Sequence, residues 1–375
     1  MALNIGILTP GFGATEGDWA IPVVQNLVRE LARTDNVRVI ALRYPHTRQP
    51  YDAYGARVIP LGYGAWTRGV RRFALWLDAL RVLRRLHREQ PFDVFHAMWS
   101  DETGALAAWA GRLLGVPSVT SIGGGELVYF PDLNYGLQGT HLGRWTVGQA
   151  LRGATAVTVS GSHNRALIKQ VGYNIPDSKI YTVVLGVDTD LFTPADVPRE
   201  SNRLLHVGSL VDIKDQATLL WALWGLDESV QLDIIGDGPL RPALERLAEE
   251  LRISHRVNFL GSVPHQMVVD HYRRAALHIM SSRNEAGPMT TIEAAACGLP
   301  TISTAVGMLV DYPSIGLTVK FREGNHAALA AMIATLLNND QWRIALGRSA
   351  YETVREQFSL RHTAQRFREV YATVI

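Results

Sequence analysis

The chain's 375 residues exceed what one hydrophobic core usually serves, so two domains are the starting expectation. Apolar residues at 47% and charged residues at 19% exclude a disordered chain, and a net charge of +2 excludes binding of nucleic acid by charge alone. The one cysteine, Cys297, excludes an intramolecular disulfide and any multi-cysteine zinc site, and it fits a reducing cytoplasm.

The charge is unevenly spread. Residues 1–185 hold 19 Lys plus Arg against 13 Asp plus Glu, a net +6, and the remainder 18 against 22, a net −4. The first half therefore suits an anionic surface or acceptor. The opening Met1-Ala2-Leu3-Asn4-Ile5-Gly6 reads as a first strand rather than a signal peptide. No apolar run reaches the roughly 18 residues needed to span a bilayer, and the densest, 327–337, has the length of an interior helix.

In chain order, short apolar runs at 3–8, 37–42, 94–97, 118–121, 156–159 and 179–184 read as buried strands, and 204–207, 232–235, 257–260, 277–280 and 300–303 repeat the theme. Amphipathic stretches alternate with them, which predicts an α/β fold of two doubly wound parallel-sheet domains. The proline-punctuated stretch 185–198 marks the boundary. Ligands of such sheets bind outside the carboxyl ends of the strands, so a cleft between two facing domains is the expected site.

In the first half, Pro10-Gly11-Phe12-Gly13 with Glu16-Gly17-Asp18 makes a glycine-rich loop after the first strand. Residues 66–88 interleave Arg68, Arg71, Arg72, Arg81, Arg84, Arg85 and Arg88 with Phe73, Leu75, Trp76, Leu77, Leu80, Leu83 and Leu86. That is a basic amphipathic helix, open to two readings: a helix packed on the sheet with a solvated arginine face, or a face that lies on an anionic membrane. His96 ends a strand, and Ser121-Ile122-Gly123-Gly124-Gly125-Glu126 follows another.

In the second half, Val207-Gly208-Ser209 leads to Lys214, one of only four lysines in the chain. Gly236-Asp237-Gly238-Pro239 is a glycine turn after a strand. The third position of a dinucleotide fingerprint is Arg241, which disfavours a nicotinamide dehydrogenase. The richest stretch runs from Ser281 to Pro300. A loop with Glu285, Ala286, Gly287 and Pro288 leads into a helix from about Thr290, with Thr290 or Thr291 as its cap and Gly298 and Pro300 as its stop. First-turn N–H groups and the helix dipole suit a diphosphate. Glu285 and Glu293, eight residues apart, place two carboxylates where sugar or ribose hydroxyls would donate to them. The other reading of Glu293 is an early-helix acid stabilised by the dipole.

This stretch resembles the glycosyltransferases of family 4, the group 1 enzymes of GT-B fold. They carry a Glu, seven residues, a second Glu, then Ala-x-Ala-x-Gly-x-Pro, and Glu285, Glu293, Ala294, Ala296, Gly298 and Pro300 match. The resemblance implies that Glu285 contacts hydroxyls of the transferred sugar and Glu293 the ribose. Backbone near Ala286, Gly287, Met289 and Thr290 would hold the sugar or diphosphate. The stretch Gly208-Ser209 to Lys214 resembles the family's diphosphate loop, with Lys214 in place and Ser209 where the family has arginine. Gly236 matches a turn near the nucleotide, and the backbone of Phe259 and Leu260 would face the base. Asp188-Thr189-Asp190 imitates a metal-binding pair but sits in a segment resembling the family's interdomain connection, so structural duty is expected and no metal.

In the first half, Gly17 matches the second glycine of the family's phosphate-facing loop and His96 its strand-end histidine. Gly123 stands where many relatives carry a histidine, and Gly124 and Glu126 would line the acceptor side. Residues 351–375 resemble the closing helix that returns to the first domain.

The resemblance thus implies an acceptor domain of residues 1–185 with 352–375 and a donor domain of 186–351. The implied activity is a retaining, metal-independent hexosyltransferase of polysaccharide biosynthesis, with Glu285, Lys214 and His96 as its catalytic residues. It would need no cofactor beyond a UDP- or GDP-linked sugar, and its acceptor would be a glycan, lipid-linked or small-molecule hydroxyl. It would be cytoplasmic, with peripheral membrane contact through the 66–88 helix and no nucleic-acid partner. An epimerase of the same fold and a non-catalytic nucleotide-sugar binder are the rival readings.

Overall fold

Short apolar runs punctuated by glycine and proline give strands whose carboxyl ends open directly into loops, and helices carry the chain back. The computed structural model describes residues 2–15, 18, 21–64, 67–318 and 324–375, with the side chains of 317 and 318 left aside. It divides into two compact units, Met1–Leu185 with Leu360–Ile375, and Gly186–Ser359.

The first unit contains β1 (Asn4–Gly11), α1 (Pro22–Leu31), β2 (Asn36–Tyr44), β3 (Tyr51–Ala53), β4 (Ala56–Pro60), α2 (Val70–Glu89) and β5 (Val94–Ala97). It continues with α3 (Glu102–Leu114), β6 (Ser118–Ser121), α4 (His141–Gly153), β7 (Ala156–Val159), α5 (Ser162–Gln170) and β8 (Ile180–Thr182). The sheet order is β3-β4-β2-β1-β5-β6-β7-β8, parallel throughout except for the β3–β4 hairpin. That hairpin escaped the sequence reading because its turn residues, Tyr54 and Gly55, have φ of 54° and 75°, and tyrosine does not advertise a left-handed turn.

Alternate residues cover opposite faces of this sheet. Ile5, Ile7, Val37 and Val39 pack against α1, and Leu8, Ile40 and Leu42 against α2 and α3. From α2, Leu75, Ala79, Leu83 and Leu86 form the inward stripe.

The second unit contains β9 (Arg203–Val207), α6 (Gln216–Trp224), β10 (Gln231–Ile235), α7 (Arg241–Glu250), β11 (Val257–Gly261) and α8 (His265–Arg274). Then come β12 (Leu277–Met280), α9 (Met289–Ala296), β13 (Thr301–Ser303), β14 (Leu317–Thr318), α10 (His326–Leu337) and α11 (Asp340–Gln357). The order is β11-β10-β9-β12-β13-β14, all parallel, so the strand order reverses between β9 and β12. Their ladder pairs only Leu277 with Leu204 and His278 with Leu205, and beyond it the strands part. The parting leaves the Ile279 carbonyl for the buried His206 side chain, whose Nδ1 donates to it at 3.0 Å.

The run 327–337 does form a helix, α10, burying Leu329, Ile333 and Leu336. The terminal segment is not one helix from 351. Helix α11 ends at Gln357 within the second unit, and α12 (Leu360–Val374) belongs to the first, where Arg368 pairs with Asp35 at 2.7 Å.

Candidate functional site

The loops that leave β9 and β12 flank the reversal of strand order in the second unit, the place where open α/β sheets bind ligands. On the β9 side, the Gly208 N–H donates to Ile235 O at 2.9 Å and the Leu210 N–H to Asp237 O at 3.0 Å. Gly236 has φ 134°, and a Cβ there would fall 2.0 Å from the Gly208 carbonyl oxygen, so the Gly236–Gly238 turn must be glycine to lie on this loop. One tight helical turn then brings Lys214 round, and Asp215, at φ 48°, caps α6 through Thr218.

The β12 loop is stitched to the β9 loop. The Ser281 hydroxyl donates to Lys214 O at 2.9 Å, and the Arg283 N–H to Ile213 O at 2.8 Å. Above these contacts the Lys214 ammonium and the Glu285 carboxylate form an ion pair across the two loops, with side chains 27% and 15% exposed. The loop is braced from behind by Gly307 and Met308. The Met308 N–H donates to Ala286 O at 3.0 Å, and a Cβ on Gly307 would come within 2.3 Å of the same oxygen.

Helix α9 starts at Met289 with Pro288 as its N-cap and no side-chain cap, which corrects the expectation of a threonine cap. Proline presets the backbone for this turn, and the Thr291 and Ile292 N–H groups are taken by Pro288 O. The first-turn amides of Met289 and Thr290 have no partner within the helix by construction of its hydrogen-bond ladder.

Glu293 lies one turn further in, and its partners are different. Its Oε1 is 2.6 Å from His265 Nε2, and its Oε2 accepts from the Tyr272 hydroxyl at 3.0 Å. The side chain is 8% exposed. Glu285 thus faces the β9 loop, and Glu293 faces α8. Of the remaining donor-side residues, Ser209 is exposed with its carbonyl held by Gln216 at 2.9 Å, Leu260 is 41% exposed, and Phe259 O accepts from Arg241 at 3.2 Å. Asp188 Oδ1 accepts the Asp190 and Leu191 amides at 3.0 and 3.3 Å, a local turn.

In the first unit, two of the expected site residues are buried. His96 is fully buried in β5, with Nδ1 2.7 Å from the Tyr371 hydroxyl and Nε2 2.8 Å from Ser121 Oγ, and burial pushes its pKa down to about 3. Both nitrogens are thus engaged within the first unit, by Tyr371 and Ser121. Glu126 is 2% exposed. It accepts the Gly123 and Gly124 amides at 2.7 and 2.6 Å and the Ser100 amide at 3.3 Å. Burial raises its pKa against the pull of the Gly123 and Gly124 amides, and its carboxylate pins its own glycine turn, Gly124 included. Gly17, Glu16 and Trp66 lie outside the described residues. The basic helix itself begins at Val70.

Sequence reasoning missed His265 and Tyr272, and it missed Gly307. The first two stand seven apart, two turns along one face of α8, a spacing that signals a shared face but not which acid it meets.

Residues 188–353 match the family described as glycosyl transferases group 1, and residues 20–186 match the glycosyl transferase 4-like domain. The chain belongs to the group 1 glycosyltransferases. It is 30% identical over 226 residues to the D-inositol 3-phosphate glycosyltransferase of Corynebacterium glutamicum, a match spanning 54% of this chain and 54% of that relative's length. Among solved structures it is similar to sucrose-phosphate synthase from Thermosynechococcus elongatus, with a TM-score of 0.81 at 22% identity over 99% of this chain and 98% of that one. It is also similar to Anabaena HepE in complex with UDP and glucose, with a TM-score of 0.77 at 16% identity over 99% and 100%. The fold is GT-B.

Proposed function

We propose that this chain is a retaining glycosyltransferase that moves a hexose-type sugar from a nucleoside-diphosphate donor to an acceptor hydroxyl, with no metal ion. The observation that carries the reading is the partly exposed Lys214–Glu285 pair across the β9 and β12 loops. A bound diphosphate would draw the ammonium to itself and release the carboxylate to accept sugar hydroxyls.

As the bond between the sugar's anomeric carbon and the diphosphate breaks, negative charge grows on the leaving oxygen. Lys214 and the first-turn amides of Met289 and Thr290 meet that charge. The acceptor oxygen attacks the same carbon on the face the diphosphate leaves, and its proton passes to the departing phosphate oxygen. Glu285 orients the sugar, and Glu293 takes the ribose hydroxyls. The backbone of Phe259 and Leu260 lies against the base, and the first unit recognises a glycan, lipid-linked or small-molecule acceptor. The UDP in the HepE complex supports a uridine donor, with GDP as the alternative.

The basic helix favours a membrane-associated acceptor. Val70, Phe73 and Leu77 of α2 are 84%, 60% and 52% exposed in one stripe, beside exposed Arg81, Arg84, Arg85 and Arg88. Among the described residues no helix is long and apolar enough to cross a membrane.

A thermal-shift panel of UDP-, GDP- and ADP-sugars tests the donor, because a ligand stabilises the state that binds it. Product anomer by NMR tests retention, and turnover in chelator tests metal independence. Stabilisation by no nucleotide sinks the reading. Binding without transfer to any acceptor leaves a non-catalytic binder.

A further inference from the structure

Glu293 is an acid with little water around it, and its two oxygens are each held by one donor from α8: His265 Nε2 at 2.6 Å and the Tyr272 hydroxyl at 3.0 Å. The donors are themselves fixed. His265 packs on Phe192 with ring centroids 5.1 Å apart, and Tyr272, with no exposed surface, packs between Phe192 at 6.1 Å and His278 at 5.8 Å. An ionised carboxylate has about four lone-pair sites. The two donors use one on each oxygen, which leaves one on each oxygen for a ligand. That remainder matches a pair of adjacent hydroxyls, and a ribose presents one.

We propose that His265 and Tyr272 are positioning residues that hold the Glu293 carboxylate for both hydroxyls of a ribose cis-diol, so that the site selects ribonucleotides over deoxyribonucleotides. The proposal rests on the reading of Glu293 as the ribose acceptor given above. Without its two donors the carboxylate is free to rotate, and the geometry that serves two hydroxyls at once is lost. The aromatic packing would persist, so the effect falls on sugar recognition rather than on the fold.

Calorimetry with UDP against 2′-deoxy-UDP, and GDP against 2′-deoxy-GDP, reads this directly. A hydrogen bond to a charged group is worth roughly tenfold or more in affinity, and the wild type is expected to prefer the ribonucleotide by about that factor. His265→Phe and Tyr272→Phe should each shrink the preference at least about threefold, and His265→Gln, which keeps an N–H donor, should restore most of it. A merely structural role would weaken both nucleotides alike and leave the ratio untouched, and that result overturns the proposal. Tyr272→Phe removes a single oxygen and carries the test if His265→Phe does not fold. A wild type that binds both forms equally overturns the assignment of Glu293 to ribose and the proposal with it. A wild type that binds neither nucleotide brings down the donor reading itself.

Discussion

The two units repeat one topology and use it in opposite ways. In the first, β1 stands between β2 and β5, and in the second, β9 stands between β10 and β12. Near that position the first unit's polar residues are consumed by the scaffold. His96, Ser121 and Thr158 form a buried chain across β5, β6 and β7 that ends on Tyr371, and Glu126 spends both oxygens on backbone amides. In the second unit Lys214 and Glu285 hold each other and stay partly in water. A buried polar group must be satisfied by its own protein, whereas a half-exposed pair can trade its partner for a ligand. The same kind of residue at the same kind of place therefore marks a core in one unit and a candidate site in the other.

Removing the exchangeable pair is the strongest way to break this contrast. Glu285→Ala is expected to lower sugar transfer about 10³-fold while the unfolding temperature stays close to wild type, because a partly exposed pair contributes on the order of 1 kcal/mol or less. Lys214→Met should cost about 10²-fold in kcat/KM for the donor. Steady-state transfer rates and thermal melts on both variants check the claim. Wild-type turnover in Glu285→Ala would mean that the second unit's pair is as structural as the first unit's histidine.

How much of this the sequence disclosed follows the same line. Lys214, Glu285 and Glu293 stood out by residue type and motif spacing, but the pairing of Lys214 with Glu285, 71 residues away, and the turning of Glu293 toward α8 are tertiary and were not in the pattern. The strands that were read, such as β5, β7 and β12, were short, mostly apolar runs with clear stops. The structural duties of His96 and Glu126 were illegible, because they depend on Tyr371, 275 residues away from His96, and on a fold-back that turns Glu126 onto its own loop. Helix α8's grip on Glu293 is likewise tertiary: seven-residue spacing shows a shared face, not what that face meets. The late start of α12 reflects the break at Phe358 and Ser359, where no glycine or proline warns of it.

A middling effect tests the first unit's side of the contrast. His96→Ala strands the Tyr371 and Ser121 hydroxyls, so a loss of about 2–4 kcal/mol in stability is expected, with transfer per folded molecule within about threefold of wild type. Denaturant melts alongside assays below the transition separate the two. Acid sharpens it. His96, His206 and His278 are buried and held neutral, with pKa values lowered by desolvation to about 3, 4 and 3. The unfolded chain protonates them near pH 6.5, so it binds more protons than the native state below that value. Their stabilising contribution is full above about pH 6.5 and is lost as pH falls toward 3–4, by roughly 1 kcal/mol per pH unit for each histidine. His96→Ala should flatten that slope by about one histidine's share. An unchanged slope would show that His96 is protonated in the fold.

The smallest expected change probes the departure of Ser209 from the family pattern. Its side chain is exposed, and its backbone is already fixed by Gln216 on its carbonyl and by the Leu210–Asp237 bond beside it, so a longer side chain needs no new backbone. Ser209→Arg would add a second, bidentate cation to the one Lys214 supplies, and a donor diphosphate should bind about 3–10-fold more tightly, with a steeper dependence on salt. Calorimetry with UDP at two ionic strengths reads both. Affinity and salt slope that stay as they were would mean that Lys214 and the α9 amides already saturate the diphosphate. The serine would then be a tolerated substitution in a site whose charge comes from the helix as much as from side chains.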